Sequence, residues 1–184
     1  MRTPLLVPVL ILALAAPSLA WESRTKGVRD GDSINVTNDD GVMVNIRLYG
    51  VDAPEAKQAF GYQAKKRLTQ LVSRKNIQIE NVDTDRYGRT VALVRLADGT
   101  LVNAEMVRSG LGWVYEQYCQ REDLCASLRQ SMAEAKSARR GLWAESDPTP
   151  PWEWRRQHKT EEWYARPLRA MQTIARKIKV VIQR

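Results

Sequence analysis

The sequence predicts an α+β fold, with about five strands and three helices in an order compatible with a small closed barrel. Three observations carry this. Short runs of alternating apolar and polar residues, punctuated by turn residues, recur between residues 28 and 96. Two longer stretches, 58–74 and 122–140, instead repeat their apolar residues at helical spacing. A length of 184 residues suits one domain with appendages.

The pattern is β from Val28. Segments 33–38 and 42–51 alternate across the turn Asp39-Asp40-Gly41, which predicts a hairpin. In the second of these, Val42, Val44, Ile46 and Leu48 share one face, so Arg47 and Tyr49 point to the other. A turn centred near residue 40 places Asp32 opposite roughly residue 48, beside Arg47. Residues 58–74 carry the stripe Ala64, Leu68, Leu71 and Val72, a helix. Ile77-Gln78-Ile79 reads as a strand, and 90–96 as another that ends at Asp98-Gly99. Asn103 is expected to cap a short helix that Gly110 ends. Residues 122–140 place Leu124, Leu128, Met132 and Ala135 on one face, with basic residues in the last turn and Gly141 after it.

The two ends differ from this domain. Arg2, the apolar run 5–16 and Ser18-Leu19-Ala20 have the layout of a cleaved signal peptide covering residues 1–20. The apolar run is well short of the ~20 residues that cross a bilayer. An exported chain meets oxidising conditions, so Cys119 and Cys125 are expected to form a disulfide, with two free buried thiols as the alternative. No Cys/His ligand spacing exists and His158 is the only histidine, which disfavours zinc and Ser-His-Asp chemistry.

Charge is uneven. Residues 21–154 hold 19 basic and 19 acidic side chains, whereas residues 155–184 hold nine basic and two acidic. The domain at 21–146 is therefore not a generally basic nucleic-acid binder; any phosphate affinity must be local. Pro148, Pro150 and Pro151 mark its edge, and segment 147–154 ends in Trp152-Glu153-Trp154. These tryptophans either dock on the barrel or stack on bases. In the tail 155–184, Leu168, Met171, Ile174, Ile178 and Val181 recur at helical spacing opposite Arg169, Arg176, Lys177 and Lys179. Such a basic amphipathic segment suits an anionic membrane surface or polynucleotide, or is simply solvated.

Three acidic–basic motifs carry the chemistry. Residues 47–55, Arg47-Leu48-Tyr49-Gly50-Val51-Asp52-Ala53-Pro54-Glu55, read as a strand exit with one guanidinium and two carboxylates. Phosphodiester cleavage needs such a set: one carboxylate for a hard cation, another for water, and an Arg fork for phosphate. Asp30-Gly31-Asp32 lies one hairpin upstream, and Asp85-Arg86-Tyr87-Gly88-Arg89 lies downstream.

In this order, with the block Leu101 to Leu111, the motifs resemble those of the staphylococcal nuclease family over roughly residues 24–145. The resemblance implies an OB-type five-stranded barrel with three α-helices. It implies that Asp32, Asp52 and the backbone carbonyl of Ala53 ligate Ca2+, that Glu55 is a general base on water, and that Arg47 and Arg89 grip the phosphate. Arg86, Tyr87 and Tyr115 would contact substrate. The chain departs from the family at Ala53, where Thr is usual, at Arg86, where the prototype has Lys, and in a shorter loop after Glu55. The implied protein is a secreted or periplasmic monomer that cuts DNA and RNA and leaves 3′-phosphates. The alternatives are a non-catalytic OB-fold binding module and an envelope protein held by its tail.

Overall fold

The computed structural model describes residues 20–158. The signal-peptide reading, apart from Ala20, and the tail beyond residue 158 lie outside the described residues. Five strands close a barrel: β1 (Ala20–Val28), β2 (Ser33–Thr37), β3 (Met43–Leu48), β5 (Asn76–Thr84) and β6 (Thr90–Leu96), in the order β1-β2-β3-β6-β5. All pairings are antiparallel except β3 with β6, which is parallel. Two short strands, β4 (Val51–Asp52) and β7 (Trp113–Val114), form a separate antiparallel ladder. The helices are α1 (Gly61–Val72), α2 (Val102–Arg108), α3 (Glu122–Ser137) and α4 (151–158).

The alternation in sequence becomes the inward face of the barrel. Ile34, Val36, Ile46, Ile77, Ile79 and Val94 are wholly buried, and Leu68, Met106 and Leu128 cover them from α1, α2 and α3. Burial of each such side chain stabilises the fold by about 1.5–3 kcal/mol. The β2–β3 hairpin pairs Ser33 with Arg47, and the Leu48 amide donates to the Asp32 carbonyl at 2.9 Å. Asp32 therefore lies across from residue 48, as the hairpin count expects.

Several boundaries differ from the expectations. β1 starts at Ala20, not near Val28, because Trp21, Ser23 and Thr25 form its half-buried face with only one large apolar residue among them. Helix α1 begins three residues late: Phe60 adopts a left-handed conformation (φ 64°), so Gln58 stays in a turn. Val42 lies outside the strand and is exposed. Asn103 does not cap α2. It is buried inside the helix, where its side chain accepts from the Val94 amide (3.0 Å) and donates to the Tyr49 (3.0 Å) and Ala92 (3.2 Å) carbonyls. It thus fastens α2 to the strand exit that follows β3. Finally, α4 continues through the 154/155 boundary that composition suggested, making a fourth helix.

The exit after β3 bends at Gly50, whose φ of +69° suits glycine. A Cβ there would meet Leu128 Cδ1 at 2.8 Å and Cys119 Sγ at 3.1 Å. Cys119 is disulfide-bonded to Cys125 on α3, and the Tyr49 hydroxyl accepts the Gln120 and Arg121 amides at 2.7 and 2.9 Å. The bend is consequently held from both sides. Helix α4 docks through Trp152, which stacks on Tyr115 (5.5 Å, 5° between planes) and meets Trp113 edge-on (5.6 Å). Gln58 Nε2 also donates to the Thr149 carbonyl at 2.7 Å.

Candidate active site

Arg47 leaves β3 on the face opposite Ile46 and Leu48, so its guanidinium emerges beside the strand exit. It joins the two expected aspartates: Nη1 lies 2.7 Å from Asp32 Oδ1 and Nη2 lies 2.7 Å from Asp52 Oδ1. Both carboxylates are buried, Asp32 at 3% exposure and Asp52 at 0%. Asp32 is fixed further, accepting the Ala53 amide at 2.9 Å and the Ser33 hydroxyl at 2.9 Å. Glu55 follows Pro54, with its backbone amide bound to Gln58 Oε1 at 3.1 Å.

A second guanidinium completes the cluster, and sequence reasoning missed it. Arg155 on α4 donates from Nη2 to Asp52 Oδ2 (2.8 Å) and from Nη1 to Asp52 Oδ1 (3.2 Å) and Glu55 Oε1 (2.7 Å). Asp32, Asp52, Glu55, Arg47 and Arg155 thus form one continuous network.

Close approach of the backbone makes this network possible. A Cβ on Gly31 would lie 2.6 Å from both Ala53 Cβ and Ala64 Cβ, so the glycine between Asp30 and Asp32 lets that turn pass against α1. Burial pushes the Asp52 carboxyl up from its ordinary range even though Arg155 and Arg47 pull it down. Burial alone would lower Arg47, but the charges of Asp32 and Asp52 outweigh it and raise it. Asp30, which sequence reasoning left unassigned, is pushed to about 6 by burial and then by the Asp32 charge. Its Oδ1 accepts the Asp32 amide at 3.1 Å.

The third motif sits apart. Arg89 Nε and Nη2 both lie 2.7 Å from Asp85 Oδ2, and Arg89 contacts none of Asp32, Asp52 or Glu55. Burial would raise Asp85, but hydrogen bonds from Arg89 and the Tyr87 amide hold it below its ordinary range. Tyr87 is 69% exposed, with Arg86 over its ring at 4.8 Å and donating to its hydroxyl at 2.8 Å. Tyr115 has one ring neighbour in Trp152 and another in Tyr118. Docking, the first of the two readings of the terminal tryptophans, describes Trp152, while Trp154 stacks on His158.

A family model described as "Staphylococcal nuclease homologue" matches residues 45–145. The chain is 40% identical to a protein named "Uncharacterized endonuclease" from Escherichia coli O157:H7, over 81% of this chain and 95% of that one. It is 37% identical to a Haemophilus influenzae protein of the same name, over 86% and 88%. This chain belongs to the staphylococcal nuclease family. Identity to a "Micrococcal nuclease" of Shigella flexneri is 35%, over 81% and 89% of the two chains.

Membership in the staphylococcal nuclease family implies a divalent ion, and the donor chemistry here fits one. Among the described residues no three Asp, Glu, His or Cys side chains form a ready-made cage. A hard cation nevertheless needs only part of its shell from protein, the rest coming from a carbonyl, water and phosphate. Asp32 and Asp52 supply buried hard oxygens, and with Glu55 the network holds three carboxylates against two guanidiniums. As a donor set, this favours additional positive charge.

Proposed function

We propose that this chain is an exported nuclease that hydrolyses DNA, and RNA as well, by water attack on phosphorus. Nuclease activity follows from the family and from the names of its relatives. The observation that carries the site assignment is Arg47 bridging two buried aspartates at the strand exit that also bears Glu55. Calcium is the proposed ion, held by Asp32, Asp52 and the Ala53 carbonyl. When bound, such an ion polarises a phosphoryl oxygen and stabilises developing charge.

This chain's own residues supply the remainder. Glu55 stands as general base on the attacking water, a role worth about 10²- to 10⁴-fold. Arg47 presents a planar fork to phosphate while holding the two aspartates in place. Arg89, now on Asp85 through Nε and Nη2, has no partner for its Nη1 hydrogens among the described residues and is proposed to offer them to a phosphate oxygen. Arg86, Tyr87 and Tyr115 are proposed substrate contacts. Cleavage of the bond to the 5′ oxygen, leaving 3′-phosphates, is the proposed outcome. The signal-peptide layout of residues 1–20 supports delivery to periplasm or medium.

The test is digestion of plasmid, single-stranded DNA and RNA with calcium, then with EDTA, then by Glu55→Gln. Cleavage that requires calcium, stops with EDTA and falls at least 100-fold in Glu55→Gln is expected. Cleavage indifferent to EDTA would overturn the metal assignment.

A further inference from the structure

We propose that Arg155 is a third phosphate-binding arginine of the site, delivered by helix α4; this rests on the nuclease reading. Arg155 touches both the proposed base and a proposed ion ligand. A phosphodiester attacked by water from Glu55, with an oxygen directed toward Asp32 and Asp52, must lie against those same carboxylates. Arg155 is therefore within a side chain's reach of the reacting phosphate. Among the described residues it is also the guanidinium that contacts Glu55.

Donor geometry supports the assignment. A guanidinium has five N–H groups arranged as an end-on and a side-on fork. Arg155 spends its end-on fork on Asp52 and the other Nη1 hydrogen on Glu55. Among the described residues, Nε–H and the second Nη2–H, the side-on fork, have no acceptor, and the side chain is 38% exposed. Such an edge matches two phosphate oxygens. Arg89 is arranged the other way, with its side-on edge already on Asp85.

Arg155 is also positioned before any ligand arrives. Trp152, three residues earlier and on the same helical face, is packed on Tyr115 and Trp113. Pro151 is buried, and the Glu153 and Trp154 amides both donate to the Pro150 carbonyl at 3.0 Å. Ordering of this arginine is thus largely complete in the folded chain, which favours its use as a preorganised donor.

The experiment compares the full chain with Arg155→Gln and Arg155→Lys, using a short DNA oligonucleotide and calcium, with thermal melting as a check on folding. A phosphate ligand predicts that Arg155→Gln lowers kcat/KM about 100-fold. Arg155→Lys should recover part of that loss, since it keeps the charge without the fork. Calorimetric titration with calcium should show ion affinity undiminished in both variants. Equal or faster cleavage by Arg155→Gln would overturn the proposal and mark Arg155 as a mere counter-ion. Weakened calcium binding that accounts for the whole loss would overturn it in favour of a role in shaping the ion site. A parent chain that cuts nothing would overturn the nuclease reading and this inference together, whereas an active parent with an unimpaired Arg155→Gln overturns this inference alone.

Discussion

Arg47 and Arg89 each bind aspartate, one beside a strand exit and the other in a tight turn, and their surroundings reverse the electrostatics. At the strand exit, burial dominates the carboxylate: Asp52 rises despite two guanidiniums. In the turn, Asp85 accepts the Tyr87 and Arg89 amides along with the Arg89 side chain and falls below its ordinary range. The same functional groups form a network with one more carboxylate than guanidinium in one place, and a self-satisfied ion pair in the other. The fold builds the first from residues far apart in sequence, and the second from a single five-residue turn.

Replacing each arginine separates the two situations most sharply. Arg47→Ala leaves two buried aspartates without their shared partner, and should cost about 3 kcal/mol of stability as well as at least about 100-fold in cleavage. Arg89→Ala should lose comparable activity but no more than about 1 kcal/mol, since its pair is local and partly solvated. Chemical denaturation and initial rates on one substrate check both; equal destabilisation would erase the contrast between the two sites.

Glycine substitutions test the same contrast at the backbone. Gly31→Ala drives a methyl into Ala53 and Ala64, whose Cβ atoms cannot rotate away. About 1–3 kcal/mol of destabilisation is expected, with lost cleavage because Asp32 must shift. In the turn, Gly88→Ala meets nothing within 4 Å among the described residues, and only its φ of +75° is strained. About 1 kcal/mol is expected there, and melting curves of the two variants give the comparison.

The smallest effect sharpens the buried side through pH. Asp30 titrates near 3.8 when unfolded and at about 6 when folded. Below pH 3.8 both states carry the proton and Asp30 costs the fold nothing. As pH rises toward 6 the unfolded chain loses its proton first, so stability falls and stays lower above 6. Asp30→Asn should therefore raise stability at pH 7.5 by about 1–2 kcal/mol, a figure reduced for partial solvent screening, and change little at pH 3.5. Its Oδ1 still accepts the Asp32 amide. Melting temperature against pH checks this.

Much of this was legible in the sequence. Alternation and the position of the turn defined the β2–β3 hairpin closely enough to set Asp32 beside Arg47 from residue spacing alone. Helical spacing gave the buried stripe of α3. β1 was not legible because its inward positions are largely Trp, Ser and Thr, and so show no aliphatic alternation. Asn103 misled because an Asn near a helix start usually caps, whereas here three backbone groups of β6 and the strand exit claim its side chain. Arg155 was hidden by composition, since it opens the basic tail. One signal could have exposed it: Pro151 suits the first turn of a helix, which puts Trp152 and Arg155 on one face. If Trp152 docks, Arg155 points inward with it.

The short ladder that pairs Asp52 with Trp113 has a practical corollary. Trp113 lies against Trp143 and Trp152, so a cluster of natural fluorophores is wired to the carboxylate on one side and to α4 on the other. Lifting α4 would alter the surroundings of these indoles. Unlabelled emission spectroscopy can therefore follow the seating of α4 in real time, without a reporter dye.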